Sequence, residues 1–105
     1  MIFAVIAAGG KGLRFGGAVP KQFFRIDGKP VILHTAEKLS GIDVIEKIIV
    51  CCPCEWLTEA EKILSECDRV TVIPGGKDRN ESVMRGIEYI EKSFGLSDGD
   101  IVVTH

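Results

Sequence analysis

A doubly wound α/β fold with a mainly parallel sheet is predicted by three observations on this sequence. Four short apolar segments, rich in β-branched residues, alternate with longer segments whose apolar residues recur at helical spacing. Strands that are separated by helices of this length must be parallel, with right-handed crossovers. The chain has 105 residues, of which 46% are hydrophobic, so a single domain can bury a core without disulfides or a structural metal.

The predicted elements follow in the order strand, loop, helix, strand, helix, strand, helix, strand. Residues 2–7 form an apolar run that Gly9 and Gly10 close, which is typical of a strand buried on both faces. The first helix begins at Pro30, which suits a first helical position, and ends at Gly41. The remaining elements are a strand over 47–52, a helix from Pro53 to Cys67, a strand over 69–73, a helix ending at Gly95 with Asp78 or Asn80 as its cap, and a strand over 101–104.

The net charge of −2 and the sequence pI of about 5.7 exclude the strongly basic character of a typical nucleic-acid-binding domain. The charge is unevenly distributed, because residues 1–29 contain five basic side chains and one acidic one. Positive charge is therefore concentrated in the glycine-rich segment after the first strand. This favours a small anionic ligand there, although a solvated loop decorated with basic residues gives the same pattern. Both interpretations stay open on charge alone.

A soluble cytoplasmic protein is expected. The apolar runs fall far short of the roughly 20 residues that cross a bilayer, and Met1 is not followed by the basic region of a signal peptide. Cys51 and Cys54 form a C-x-x-C pattern, but the second pair that a structural zinc site needs is missing. Burial of free thiols explains the cysteines, and no metal-ligating residue is predicted.

The chemistry is expected at one edge of the sheet, because doubly wound folds bind ligands beyond the carboxyl ends of their strands. Three segments meet this description, namely 8–21, 75–82 and His105. The first two are glycine-rich turns that contain arginine, the pairing expected where backbone amides and a guanidinium surround a phosphate. A Walker A loop is excluded, since Lys11 is followed by Gly12. A dinucleotide-binding motif is weak, since no acidic residue ends the second strand.

Two blocks of sequence resemble a known enzyme family. The first comprises residues 8–16, 20–23 and 28–35, and it is similar to the signature of nucleotidyltransferases that act on sugar or alditol phosphates. The second, residues 75–83, resembles the Gly-Gly-x-x-Arg-x-x-Ser/Thr motif of the cytidylyltransferases that act on 2-C-methyl-D-erythritol 4-phosphate or on ribitol 5-phosphate. The blocks stand in the family's order, and the similarity extends over essentially the whole chain.

Three further segments, residues 78–81, 87–92 and 103–105, are more similar to the ribitol branch of this family. The methylerythritol branch usually has Val-His where Thr104 and His105 stand here. The pattern favours ribitol 5-phosphate as the acceptor and leaves 2-C-methyl-D-erythritol 4-phosphate open.

The resemblance implies a Rossmann-like fold of the nucleotidyltransferase type, in which residues 1–105 are the N-terminal nucleotide-binding part of a single cytidylyltransferase domain. It implies transfer of CMP from CTP to an alditol phosphate, with release of pyrophosphate. Arg14 and Lys21 are the implied catalytic residues, because they would stabilise charge on the transferring phosphate. The implied nucleotide-binding residues are Ala7, Ala8, Gly9, Gly10, Lys11, Gly12, Gly75, Gly76, Lys77, Asp78, Arg79, Asn80, Glu81 and Ser82.

The resemblance also implies Mg²⁺, whose expected ligand follows His105 in the family's pattern, and a homodimer of the full-length protein. Because that pattern continues past this residue, the chain is expected to be truncated. Three alternatives remain, namely a non-catalytic nucleotide-binding module, an inactive fragment and a structural domain. Pyrophosphate release from CTP distinguishes an enzyme from a binding module, and protection by CTP against thermal unfolding distinguishes a binding module from a structural domain.

Overall fold

A computed structural model of the chain describes residues 1–8 and 21–105, and for Lys21 it describes the backbone alone. Two short 3-10 turns, Lys21–Phe23 and Cys54–Trp56, accompany the regular elements. The strands are β1 (Ile2–Ala7), β2 (Arg25–Ile26), β3 (Lys29–Pro30), β4 (Ile45–Cys52), β5 (Val70–Pro74) and β6 (Ile101–Thr104). The helices are α1 (Val31–Ser40), α2 (Leu57–Ile63) and α3 (Arg79–Phe94).

The larger sheet has four strands in the order β5-β4-β1-β6, and every neighbouring pair is parallel. Val5 of β1 is in register with Ile49 of β4 on one side and Thr104 of β6 on the other. The chain builds outward from β1 through β4 to β5 and then returns to place β6 beside β1. The strand order therefore reverses between β1 and β6, which confirms the doubly wound parallel sheet.

Helices cover the two faces of this sheet with two separate apolar layers. On one face Ile6, Ile48 and Val50 pack with Ile32 of α1 and Ala60 of α2. On the other face the sheet packs against α3, and the buried residues of this layer are Phe3, Val5, Ile49, Cys51 and Ile90. Alternation along β1 and β4 explains the division, because successive side chains of a strand point to opposite faces.

Helix α3 lies unusually close to the sheet at Gly86. A Cβ atom at this position would stand 2.6 Å from Val5 Cγ1 and 3.2 Å from Cys51 Sγ. The first separation is shorter than real Cβ contacts and the second is tighter than most of them, so a side chain where the helix crosses β1 and β4 would force Val5 or the helix to shift. The close approach fixes the start of α3 relative to the ends of these strands.

The described residues differ from the sequence prediction mainly in the following places. A hairpin formed by β2 and β3 interrupts the segment that was predicted as loop, and its turn residues Asp27 and Gly28 have φ angles of 54° and 80°. Asp-Gly is the turn sequence that two-residue hairpins favour, so the signal was present. The second helix ends at Ile63, before the predicted Cys67. Strand β4 begins at Ile45, two residues before its predicted start.

Candidate functional site

The carboxyl ends of β1, β4 and β5 meet at one edge of the sheet. The Ala8 N–H donates to the Cys51 carbonyl oxygen at 2.8 Å, and the Gly75 N–H donates to the Cys52 carbonyl oxygen at 2.7 Å. These two carbonyls belong to consecutive residues of β4, so the segments that follow β1 and β5 leave the sheet on either side of the same strand end.

His105 lies at this same edge, beyond the end of β6. The Ala7 N–H donates to the His105 carbonyl oxygen at 3.1 Å, and the His105 N–H donates to the Val5 carbonyl oxygen at 2.9 Å. The structure thus places Ala8 and Gly75, the first residues of two of the segments assigned to the ligand site, and His105, the third, at the same edge. Their meeting point is beside the reversal of strand order between β1 and β6.

The Gly75–Gly76 turn is held by Ser82, on the first turns of α3. The Gly76 N–H donates to Ser82 Oγ at 2.9 Å, and Ser82 is only 1% exposed. A Cβ atom on Gly75 would lie 3.0 Å from Ser82 Oγ and 3.3 Å from the carbonyl carbon of Cys51. The turn is therefore packed tightly between the end of β4 and the start of α3, and a larger residue at position 75 would require its neighbours to move.

Glu81 braces the other side of this turn. Its Oε1 accepts a hydrogen bond from the Lys77 N–H at 3.1 Å and lies 3.2 Å from Arg85 Nη2. Its side chain covers Gly76 so closely that a Cβ there would be 2.3 Å from Glu81 Cγ. The Glu81 N–H in turn donates to Asp78 Oδ1 at 2.8 Å, which identifies Asp78 and not Asn80 as the cap of α3.

Arg85 was absent from the sequence-predicted site. The signal that could have found it is the spacing of Glu81 and Arg85, since oppositely charged side chains four residues apart meet on a helix surface. The pair balances the negative charge of Glu81, which would otherwise oppose an anionic ligand near the turn.

The residues implied by the family resemblance divide into two groups. Ala7, Ala8 and the segment 75–82 lie together at the carboxyl edge, with Ala8 and Ser82 buried and Lys77 to Asn80 exposed. Gly9, Gly10, Lys11, Gly12 and Arg14 lie outside the described residues. Lys21 begins the 3-10 turn that precedes β2.

Two buried, uncharged thiols lie below the carboxyl edge of the sheet. Burial raises the pKa of Cys51 and of Cys52 to about 11, so both remain protonated at neutral pH. The prediction of buried thiols is confirmed for these two residues and wrong for Cys54, which is exposed because it follows the end of β4 in a 3-10 turn.

The described residues do not provide a magnesium site by themselves. In residues 1–8 and 21–105, no three His, Cys, Asp or Glu side chains are grouped so that they could hold a metal ion. The carboxylates nearest the turn, Asp78 and Glu81, are hydrogen-bonded to backbone N–H groups of the protein. Within the same ranges, none of the helices combines the length and apolar character needed to cross a membrane.

A second cleft, of about 450 Å³, lies between α1 and α2 at the opposite, amino-terminal side of the sheet. Glu37, Glu66 and Asp68 contribute carboxylates to its lining, which disfavour a polyanion. The guanidinium of Arg69, which also lines the cleft, donates to the carbonyl oxygens of Ser40 and Ile45. Because the guanidinium is already hydrogen-bonded to these carbonyl oxygens, the carboxyl edge is the better candidate for an anionic ligand.

Comparison with known proteins shows which family the chain is similar to. The family model IspD, described as 2-C-methyl-D-erythritol 4-phosphate cytidylyltransferase, matches residues 2–105. The chain is 45% identical to the ribitol-5-phosphate cytidylyltransferase of Lactiplantibacillus plantarum, in an alignment that covers 100% of this chain and 47% of that protein. The chain therefore spans about half the length of this curated relative.

Solved structures show the same fold. The 4-diphosphocytidyl-2C-methyl-D-erythritol synthase of Anaerococcus prevotii superposes with a TM-score of 0.73 at 24% identity, covering 100% of this chain and 42% of that one. The bifunctional IspDF of Campylobacter jejuni superposes with a TM-score of 0.71 at 25% identity, covering 98% of this chain and 25% of that one. In both cases the matched region accounts for less than half of the larger protein.

Proposed function

Because the chain belongs to the IspD family of 2-C-methyl-D-erythritol 4-phosphate cytidylyltransferases, we propose that it supplies the nucleotide-binding part of an enzyme that transfers CMP from CTP to an alditol phosphate. Pyrophosphate and a CDP-alditol are the products. The observation that carries this proposal is that Ala8 and Gly75 meet at the end of β4, while His105 lies at the same edge against the end of β1. Residues 1–105 then form the N-terminal part of a single cytidylyltransferase domain.

Positive charge is the main catalytic resource in this reaction. An oxygen of the acceptor phosphate attacks the α-phosphorus of CTP, and since this oxygen is already an anion, no strong general base is needed. The barrier arises from bringing two polyanions together and from the charge that spreads over the transferring group. Arg14 and Lys21 are proposed to stabilise that charge, Arg14 through a planar fork and Lys21 as a compact cation.

Ser82 is proposed to contact the cytosine. Its Oγ accepts from the Gly76 N–H, and none of the described residues accepts a hydrogen bond from its hydroxyl. The hydroxyl proton is the group proposed to donate to a ligand acceptor such as the ring carbonyl of cytosine, where the base lies against this buried side chain. The Gly75, Gly76 and Lys77 amides are all bonded within the protein, which makes this turn a rigid support for the base and ribose.

Ribitol 5-phosphate is the proposed acceptor. The 45% identity to a ribitol-5-phosphate cytidylyltransferase supports it, as do the sequence segments that resemble this branch. The family description favours 2-C-methyl-D-erythritol 4-phosphate instead, so both acceptors belong in the assay.

Magnesium, a homodimer of the complete protein and a cytoplasmic location complete the proposal, and the family resemblance supports them. Mg²⁺ would supply charge neutralisation on the CTP phosphates. The family resemblance implies that its protein ligand follows His105.

Pyrophosphate release from CTP, measured on the complete gene product with each alditol phosphate, tests the proposed function. We expect release with ribitol 5-phosphate, and a loss of about 100-fold or more in turnover for Arg14→Ala and for Lys21→Ala, because each removes charge that acts in the transition state. Lys62→Ala is the matched control, since Lys62 is an exposed lysine on α2.

Two results would contradict this function. CTP binding without pyrophosphate release from either acceptor indicates a non-catalytic nucleotide-binding module. Near-normal turnover in both the Arg14 and Lys21 variants would show that these two residues do not have the proposed catalytic roles, even if the unaltered protein is active.

A further inference from the structure

We propose that Trp56 is a positioning residue for Lys21, acting through the ring of Phe23. This inference rests on the proposed function, because it takes Lys21 as a catalytic residue. Trp56 is the only tryptophan of the chain and lies outside the sequence blocks that carry the family resemblance.

Phe23 is the anchor of the segment that carries Lys21. The two residues share one 3-10 turn, Lys21–Phe23. Phe23 is 8% exposed and belongs to the same buried cluster as Ala8, Ile32 and Cys52. The backbone of Lys21 is therefore two residues from a side chain that is fixed in the core beside the carboxyl edge.

Trp56 packs directly on this anchor. The centroids of the Phe23 and Trp56 rings are 4.8 Å apart, with an interplanar angle of 31°. This distance lies within the range of favourable aromatic pairs. The contact joins the Lys21 segment to the segment that leaves β4, although 33 positions separate Phe23 from Trp56 in the chain.

The position of Trp56 is itself well defined by the backbone. Trp56 ends the 3-10 turn Cys54–Trp56, which begins two residues after β4. Its N–H donates to the Pro53 carbonyl oxygen at 2.9 Å, and the ring of Pro53 fixes φ there at −58°. Trp56 is thus held at a short, constrained distance from the strand end on which Ala8 and Gly75 converge.

A second link holds the other side of the segment. The Val31 N–H, at the start of α1, donates to the Phe24 carbonyl oxygen at 2.9 Å. With Phe24 attached to α1 and Phe23 stacked on Trp56, the segment after Lys21 is fixed at two neighbouring residues. Loss of the Trp56 ring would remove the aromatic contact on Phe23 and leave a gap beside it, so the Lys21 backbone could shift.

Small displacements of a catalytic group have large effects on rate. A misplacement of about 1 Å can reduce turnover by about 100-fold, even when the substituted residue is far from the reacting atoms. Trp56 would therefore influence catalysis without touching either substrate. Its substitution should lower kcat and should change the KM for CTP little, since the nucleotide-binding turn at Gly75–Gly76 is not part of this contact.

The test compares Trp56→Ala, Trp56→Leu, Trp56→Phe and Lys21→Ala in the complete gene product, with pyrophosphate release as the readout. We expect Trp56→Ala to lower kcat about 10- to 100-fold and to change the KM for CTP less than about threefold. Trp56→Phe keeps a ring against Phe23 and should restore kcat to within about threefold of the unaltered protein. Trp56→Leu keeps apolar volume without the aromatic ring. It replaces Trp56→Ala in the comparison if the alanine variant does not fold.

A double-mutant cycle separates positioning from a structural role. If Trp56 acts through Lys21, adding Trp56→Ala or Trp56→Leu to Lys21→Ala causes no further loss of kcat. Phe94→Ala is the matched control, because Phe94 stacks on Phe3 at 5.7 Å in the apolar layer on the other face of the sheet. We expect this control to lower thermal stability and to leave kcat within about twofold.

Several outcomes would overturn the inference. Losses from Trp56 and Lys21 variants that multiply show that the two residues act independently. Normal kcat in folded Trp56→Ala or Trp56→Leu, combined with slow Lys21→Ala, overturns the positioning role and leaves the proposed function intact. Absence of pyrophosphate release from the unaltered protein overturns both.

Discussion

At the scale of a single residue, Ser82 is fixed in the fold and is also proposed to contact the nucleotide. Its buried hydroxyl accepts from the Gly76 N–H across six positions of sequence. The resemblance to the family motif predicts that Ser82 binds nucleotide, but the hydrogen bond to Gly76 could not be predicted, because it depends on how tightly the turn folds back on α3. The steric need for glycine at position 75 has the same origin.

Removal of the Ser82 hydroxyl should weaken both the fold and nucleotide binding. We expect Ser82→Ala to lower the free energy of unfolding by about 1–3 kcal/mol, because the Gly76 N–H loses its partner in a part-buried place. The same change should raise the dissociation constant for CTP about tenfold, through loss of one hydrogen bond. Denaturant unfolding and calorimetric titration measure the two effects.

Ser65→Ala is the control for this substitution. The Ser65 hydroxyl donates to the Lys62 carbonyl oxygen at 3.0 Å in an exposed position, so its loss should change stability by less than about 0.5 kcal/mol. If Ser82→Ala is as stable as Ser65→Ala and binds CTP normally, the dual role of Ser82 is wrong.

Helix α3 is the element that sets the depth of the site. It begins at Arg79, with Asp78 as its N-cap shortly after the Gly75–Gly76 turn, and crosses β1 and β4 at Gly86. The periodicity of its apolar residues predicted the helix and its end at Gly95, but nothing in that pattern distinguished Gly86 from a surface glycine. The need for glycine there arises from the distance between helix and sheet, which only the packed structure defines.

A methyl group at position 86 should push the helix away from the sheet. We expect Gly86→Ala to lower stability by about 1–2 kcal/mol, because overpacking against Val5 and Cys51 costs more than the roughly 1 kcal/mol that alanine gains over glycine within a helix. The corresponding fall in Tm is about 5 °C or more, measured by thermal unfolding followed by circular dichroism.

Gly41→Ala is the matched substitution at a permissive place. Gly41 has a φ of −74° at the end of α1, and a Cβ there would make only ordinary contacts, 3.5 Å from the Lys38 carbonyl oxygen at the closest. This variant should be neutral or more stable by up to about 1 kcal/mol. Equal stability of the two alanine variants would contradict the close approach of α3.

Strands and helices with a clear pattern of apolar residues were predictable from the sequence. Elements that depend on turn geometry were not. The strands β1, β4, β5 and β6 appear within two residues of their predicted bounds, because each contains a short apolar run rich in β-branched residues. The β2–β3 hairpin was missed because each strand has only two residues, too few for a period to show. The second helix was predicted too long, because Leu64 and Cys67 continue its apolar spacing after the backbone has left the helix.

At the scale of the whole molecule, the order of the strands creates the site. Because β6 returns to the side of β1, His105 comes to lie against Ala7. These two residues are close in space although they stand near opposite ends of the sequence. The topology was predictable from the alternation of elements and the rule of right-handed crossovers. The distribution of charge agrees with it, since the excess of basic residues precedes α1, and the acidic cleft between α1 and α2 lies at the other side of the sheet.

The central claim is that the carboxyl edge of the sheet binds CTP, and amide chemical shifts of the ¹⁵N-labelled protein titrated with CTP test it most directly. The account predicts that the largest changes occur at Ala8, Gly75, Gly76, Ser82 and His105, and that UTP causes smaller ones. Unchanged amides at this edge, or changes centred on Ser40, Cys67 and Arg69 in the opposite cleft, would contradict it.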